Sequence, residues 1–238
     1  MSNFLLSKLM DACRQGGCPV CRMEQQSVER FLENQFYENV NSPRWRDRLR
    51  GSLGFCHEHA WLAVDRRLGD ALGFSIIYRD LLNTILKRLD EKNGPQPASP
   101  SWTDRLRKPP EQTRALMERF LYAITPARAC PVCEHRDEKA REILSVLVTG
   151  LEGQDVVDAL RSSDGLCLPH LQQSLERAKD AASIEKLLLL QRGKMEGLIA
   201  ELDEFIRKND YQVQESFGRE GDAWLRAIAL VVGARKGR

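Results

Sequence analysis

Cys18-Pro19-Val20-Cys21 returns 112 residues later as Cys130-Pro131-Val132-Cys133. Gly54-Phe55-Cys56-His57-Glu58-His59 returns 111 residues later as Gly165-Leu166-Cys167-Leu168-Pro169-His170. Between the two ligand pairs lie 34 residues in the first copy and 33 in the second. Asp47, Leu49, Arg50 and Ser52 recur in that interval as Asp158, Leu160, Arg161 and Ser163. Six of the seven cysteines fall inside the pattern, so one metal-binding unit has been duplicated.

The spacing states the chemistry. A Cys-x-x-Cys or Cys-x-x-His at a helix start puts two ligands on one side of one turn, and two such pairs make a Cys3His set. Read in sequence order, Cys18, Cys21, Cys56 and His59 form the first site. Cys130, Cys133, Cys167 and His170 form the second. Pro19 and Pro131 stand where a first helical residue belongs. The unpaired N–H groups and dipole of a helix start favour thiolate, and with it metal. A zinc ion on three thiolates and an imidazole carries a net negative charge, which Arg50 and Arg161 are placed to offset. Zinc is the preferred ion, two per chain. A [4Fe–4S] cluster is the alternative, although such clusters usually take four cysteines. Cys13 could supply another thiolate in the first half, but Thr125 stands in its place in the second. Cys13 therefore reads as a small buried residue ending a short helix.

Four protein ligands leave no open position for a substrate water, so the sites read as structural. The chain has no Gly-x-Ser-x-Gly, no glycine-rich phosphate loop and no His-Glu-x-x-His, and no catalytic residue is assigned. His57 and His135 are not duplicated and read as surface or partly buried positions, with His57 a rival to His59 as ligand.

Helical periodicity runs through most of the chain. Helices are expected from Val20 to about Phe36 and from Val132 to about Val148. Ser42-Pro43 caps and opens a short helix through Leu49, matched by Gln154–Arg161, and Cys56 and Cys167 each open another. Long helices follow at about 70–91, with Phe74, Ile77, Leu81, Ile85 and Leu89 on one face, and at about 183–208. The second carries Ile184, Leu188, Met195, Leu198, Leu202 and Phe205. A last helix spans Asp222–Val232. No segment alternates as a strand does. The class is all-α: two duplicated helical units, 1–92 and 111–238, packed through the long helices with pseudo-two-fold symmetry. Residues 93–110, with five prolines, read as the linker.

The 238 residues are 42% hydrophobic and 29% charged, with a mean hydropathy of −0.44. No apolar run approaches the ~20 residues of a membrane helix. A net charge of +2 singles out neither nucleic acid nor a membrane. The cluster Arg44-Trp45-Arg46-Asp47-Arg48-Leu49-Arg50 could grip phosphates, but its counterpart Val156–Arg161 has lost most of the charge. Met1–Cys13 lacks the pattern of a secretory leader, so a cytoplasmic location and reduced thiols are expected.

The duplicated Cys-Pro-x-Cys and Gly-x-Cys-x-x-His, with the ending Asp222-Ala223-Trp224-Leu225-Arg226-Ala227-Ile228, resemble an uncharacterised bacterial family. That resemblance implies a metal or cluster role and brings no known activity. The reading is an interaction or accessory module with a protein partner. The alternatives are an iron–sulfur protein of electron transfer or redox sensing, and a nucleic-acid binder.

Overall fold

Every cysteine that opens a ligand pair is followed at once by a helix. In the computed structural model, which describes residues 2–90 and 111–235, the helices are α1 (Ser2–Cys13), α2 (Pro19–Glu38), α3 (Pro43–Ser52), α4 (His57–Asp65) and α5 (Ala71–Asp90). They continue as α6 (Glu111–Ile124), α7 (Pro131–Gly150), α8 (Gln154–Ser162), α9 (Leu168–Arg177), α10 (Ala181–Lys208) and α11 (Ala223–Val232). A short 3-10 turn, Arg219–Asp222, precedes α11. The described residues contain no strand, and the protein is all-α. The expected linker, 93–110, lies outside the described residues.

Local signals set the helix starts. Pro19 and Pro131 open α2 and α7, where a missing N–H costs nothing. Ser42 caps α3, its Oγ accepting the Trp45 N–H at 3.4 Å. Asp180 caps α10, accepting the Ser183 N–H at 2.8 Å.

Two compact units result, and they do not follow sequence order. The first gathers the chain up to Val28 and again from Arg136 through α11; the second is Glu29–His135. The chain crosses from one to the other inside α2 and returns inside α7. This differs from the sequence-order division into 1–92 and 111–238, and helix length is the reason. From Cys21 to its end at Glu38, α2 carries the chain about 26 Å, and the ten residues of α3 can recover at most about 15 Å of that.

In the first unit α1 packs on α8, and α9, α10 and α11 pack together. Leu9, Val20, Leu144, Leu147 and Leu151 are fully buried there. In the second unit α5 packs against α3 and α6, burying Leu49, Ile77 and Leu81 beside the rings of Phe36, Trp45 and Phe55. The α5 face matches the sequence reading, and the α10 face matches it at Ile184, Met195, Leu198, Leu202 and Phe205 but not at Leu188. Its buried stripe begins Ser183, Leu187, Gln191, while Leu188 is half exposed. The run Leu187–Leu190 suits either register by hydropathy alone, and Gln191 earns its burial through hydrogen bonds.

Candidate metal centres

The four ligand pairs share one local design. Cys18, Cys56, Cys130 and Cys167 each sit just before the first residue of α2, α4, α7 and α9. The partner ligand, Cys21, His59, Cys133 or His170, is the third residue of the helix. Both ligands then project from the first turn, beside N–H groups that no helix carbonyl can satisfy. The Cys-x-x-His pairs are also led in alike. Gly54 and Gly165 adopt φ of 97° and 85°, a left-handed turn that favours glycine. The repeated serines brace it: Ser52 Oγ donates to the Gly54 carbonyl at 2.8 Å, and Ser163 Oγ accepts the Gly165 N–H at 3.0 Å.

All eight predicted ligands gather into two sets, but each knuckle meets the Cys-x-x-His of the other repeat. The first centre, inside the first unit, is Cys18, Cys21, Cys167 and His170; the second, inside the second unit, is Cys56, His59, Cys130 and Cys133. This corrects the same-repeat pairing drawn from the sequence. Within each set the donor atoms all lie within 4.8 Å of one another.

In the first centre Cys21 Sγ and Cys167 Sγ are 3.6 Å apart. His170 Nδ1 stands 3.2 Å from Cys167 Sγ, 3.4 Å from Cys21 Sγ and 3.6 Å from Cys18 Sγ. The second centre repeats this: 3.7 Å from Cys56 Sγ to Cys133 Sγ, and 3.2, 3.4 and 3.8 Å from His59 Nδ1 to Cys56, Cys133 and Cys130. A tetrahedral ion with Zn–S of ~2.3 Å and Zn–N of ~2.0 Å has S···S edges of ~3.8 Å and S···N edges of ~3.5 Å. The residues fit a single bound ion in each set.

Both histidines are buried. Burial by itself lowers the basicity of His170, but the sulfurs of Cys167, Cys18 and Cys21, with Glu24, outweigh it and favour positive charge on the ring. That is the electrostatic demand a metal ion meets. Burial pushes the Cys130 thiol up, opposed by backbone N–H groups of Cys56, Cys133 and Val132.

Three further features belong to the first centre. Glu24 Oε1 lies 3.2 Å from His170 Nε2, so a carboxylate orients the ring whose other nitrogen faces the sulfurs. Gln191 clamps the loop before Cys167, accepting the Leu166 N–H at 3.0 Å and donating to the Leu166 carbonyl at 2.9 Å. The Ala234 N–H donates to Cys21 Sγ at 3.5 Å, just after Gly233, whose φ is 93°. The sequence reading had named none of these. Glu24 was findable, lying one turn beyond Cys21 on the same helix face; a backbone donor at Ala234 leaves no signal.

The chain belongs to the family of unknown function DUF6062. Its profile matches residues 6–237. The chain is similar to an "Uncharacterized 23.9 kDa protein in xynA 3'region" of Caldicellulosiruptor sp. (strain Rt8B.4), with 25% identity over 236 residues, covering 95% of this chain and all of that protein. No solved structure matches the chain.

The other candidates resolve as follows. Cys13 ends α1, is buried, and stands outside both ligand sets; burial and then the neighbouring Cys18 push its thiol up to about 11. His57 is exposed, and His135 stacks on Phe31 at 4.2 Å. Arg50 and Arg161 do not serve the centres as expected. Arg50 makes two hydrogen bonds to Asp80 at 2.9 and 3.0 Å, and Arg161 pairs with Asp158 at 2.5 Å. In the basic cluster Arg46 donates to the Val40 and Ile76 carbonyls, Arg48 pairs with Glu134, and Trp45 is buried. Only Arg44 of its four arginines is exposed. No helix among the described residues is long and apolar enough to cross a membrane.

Proposed function

We propose that the protein is a cytoplasmic zinc protein whose two Cys3His centres are structural, and that it works as an interaction or accessory module for a protein partner. One observation carries the metal assignment. In each centre one sulfur–sulfur pair and all three sulfur–imidazole pairs stand 3.2 to 3.8 Å apart and every donor lies within 4.8 Å of the others, close enough for ligands sharing one tetrahedral ion. In a [4Fe–4S] cluster each ligand binds its own iron at a cube corner, which spreads the donors wider, and thiolate is the usual ligand. When bound, zinc supplies a cross-link between two helix starts far apart in sequence, and its binding free energy becomes folding free energy.

The accessory role is supported by apolar side chains left in solvent. Leu116, Phe120, Leu121 and Ile124 of α6 are each at least half exposed. On α11, Trp224, Leu225, Ile228 and Val231 are about half exposed. Exposed apolar faces of this kind mark interaction surfaces.

The test is elemental analysis and a visible spectrum of protein purified anaerobically without a metal-affinity tag. About two zinc ions per chain and no colour is the expected result. Iron with acid-labile sulfide would overturn the assignment and move the function toward redox chemistry.

A further inference from the structure

The first unit holds a cavity of about 360 Å³ between α10, α11 and the loop that leads into Cys167. Cys18 and Cys167 form part of its wall, so it abuts the first metal centre. The volume lies within the range of small-molecule sites.

The α10 wall is unusual in composition. Gly193 and Gly197, one turn apart, face the cavity from the interior of a 28-residue helix. Glycine is the poorest helix former after proline. A Cβ on either residue would meet no atom within 4 Å, so packing inside the protein does not require glycine at either place. What the missing side chains do is bare the helix backbone along one side of the cavity.

The charges on the wall do not balance. Arg226 contacts Glu201, and Arg219 Nε stands 3.4 Å from the same carboxylate. Asp164 is engaged by the Gly17 N–H at 2.7 Å. Lys194 has no ion pair among the described residues. It donates to the Arg161 carbonyl at 2.5 Å, which leaves two ammonium protons free to bond elsewhere. Burial lowers its basicity, Asp164 opposes that effect, and Arg219 lowers it further. An anion would relieve both the desolvation of Lys194 and its repulsion from Arg219.

We infer that this cavity binds a small organic anion, a carboxylate or a phosphate, held by Lys194 and Arg219 against the bare glycine face of α10. The inference goes beyond the proposed function and is independent of which metal the centres hold. A ligand seated there touches the outer side of Cys18 and Cys167, so the first centre is placed to register its presence.

The experiment is isothermal titration of the full-length, metal-loaded protein with inorganic phosphate and with citrate. At least one anion should bind saturably, and Lys194→Met should weaken it about tenfold, the scale of one lost charge-assisted hydrogen bond. Gly193→Ala and Gly197→Ala should raise the melting temperature, because alanine is the better helix former, while weakening the same binding. Metal content should not change in any variant, which separates a lost anion site from a damaged centre. No binding of either anion at millimolar concentration overturns the inference. So does binding that is untouched in Lys194→Met. Glycine variants that alter the oligomeric state and leave anion binding intact would assign this face to a second copy of the chain and overturn it too.

Discussion

Glu24 illustrates what one carboxylate does behind a metal-binding histidine. Its contact with His170 Nε2 fixes the ring so that Nδ1 points at three sulfurs, and makes that nitrogen a stronger donor. At the same helical register α7 carries Arg136, which has no acceptor to offer. Glu24→Gln should therefore weaken the first centre by about tenfold or more and leave the second unchanged. Chelator competition, following release of the two ions separately, reads this out; equal losses at both centres would contradict it. Gln191 acts one step further back. Gln191→Leu would strand the buried N–H and carbonyl of Leu166, at a cost of about 1–3 kcal/mol, seen as a lower melting temperature with both ions retained. At this scale the ligands were readable because each pair is local, two residue types within one helical turn. Glu24 was not assigned, because its partner lies in the other repeat and the pairing had to be known first.

Helix starts were the most readable elements where proline stands at the first position or serine before it, because those signals act within one turn. Asp180 caps a start that the sequence reading put near 183. The Ser183 N–H and then its hydroxyl hold the Asp180 carboxyl below the usual aspartate range, with the Ala182 N–H and Lys186 adding to the effect. A depressed carboxylate stabilises the fold above its unfolded pKa, and that contribution fades as pH falls through the folded value. Asp180→Ala should thus speed amide exchange in the first turn of α10 at neutral pH. The gap between variant and parent should close as the solution is acidified below the ordinary aspartate pKa. A gap that persists in acid would mean the carboxylate is not the cap. The middle of α10 was harder to read. Four consecutive leucines give hydropathy no preference between registers. The choice fell to Gln191, a polar residue that is buried because Leu166 satisfies both ends of its amide.

At the scale of the whole chain, the nested pairing of the repeats is what sequence reasoning missed. Spacing favours the nearer partner: Cys21 and Cys56 have 34 residues between them, whereas Cys21 and Cys167 are 146 positions apart. That roughly fourfold longer loop costs only about 1.2 kcal/mol in closure entropy, against ~10–16 kcal/mol for binding a structural zinc. Loop length is therefore too weak a term to set the pairing. Rigid geometry sets it. From Cys21 to Glu38, α2 carries the chain about 26 Å, and the ten residues of α3 can recover at most about 15 Å of it. The turn that follows is closed by the Leu53 and Gly54 N–H groups on the Arg50 and Leu49 carbonyls, so it adds little reach. Nearly the same lengths recur in α7 and α8, 20 and 9 residues, which denies the second knuckle its own Cys-x-x-His as well. The pairing makes a prediction that same-repeat sites would invert. Cys21→Ser combined with Cys167→Ser removes two ligands from one centre, and native mass spectrometry should find one ion retained. Cys21→Ser combined with Cys56→Ser damages both centres, and both ions should be lost. Stability follows the same logic. Within one centre the second substitution should add little to the first, because the ion is already gone, whereas losses from different centres should sum. Retention of an ion by the Cys21/Cys56 pair, with none left in the Cys21/Cys167 pair, would restore the sequence-order sites.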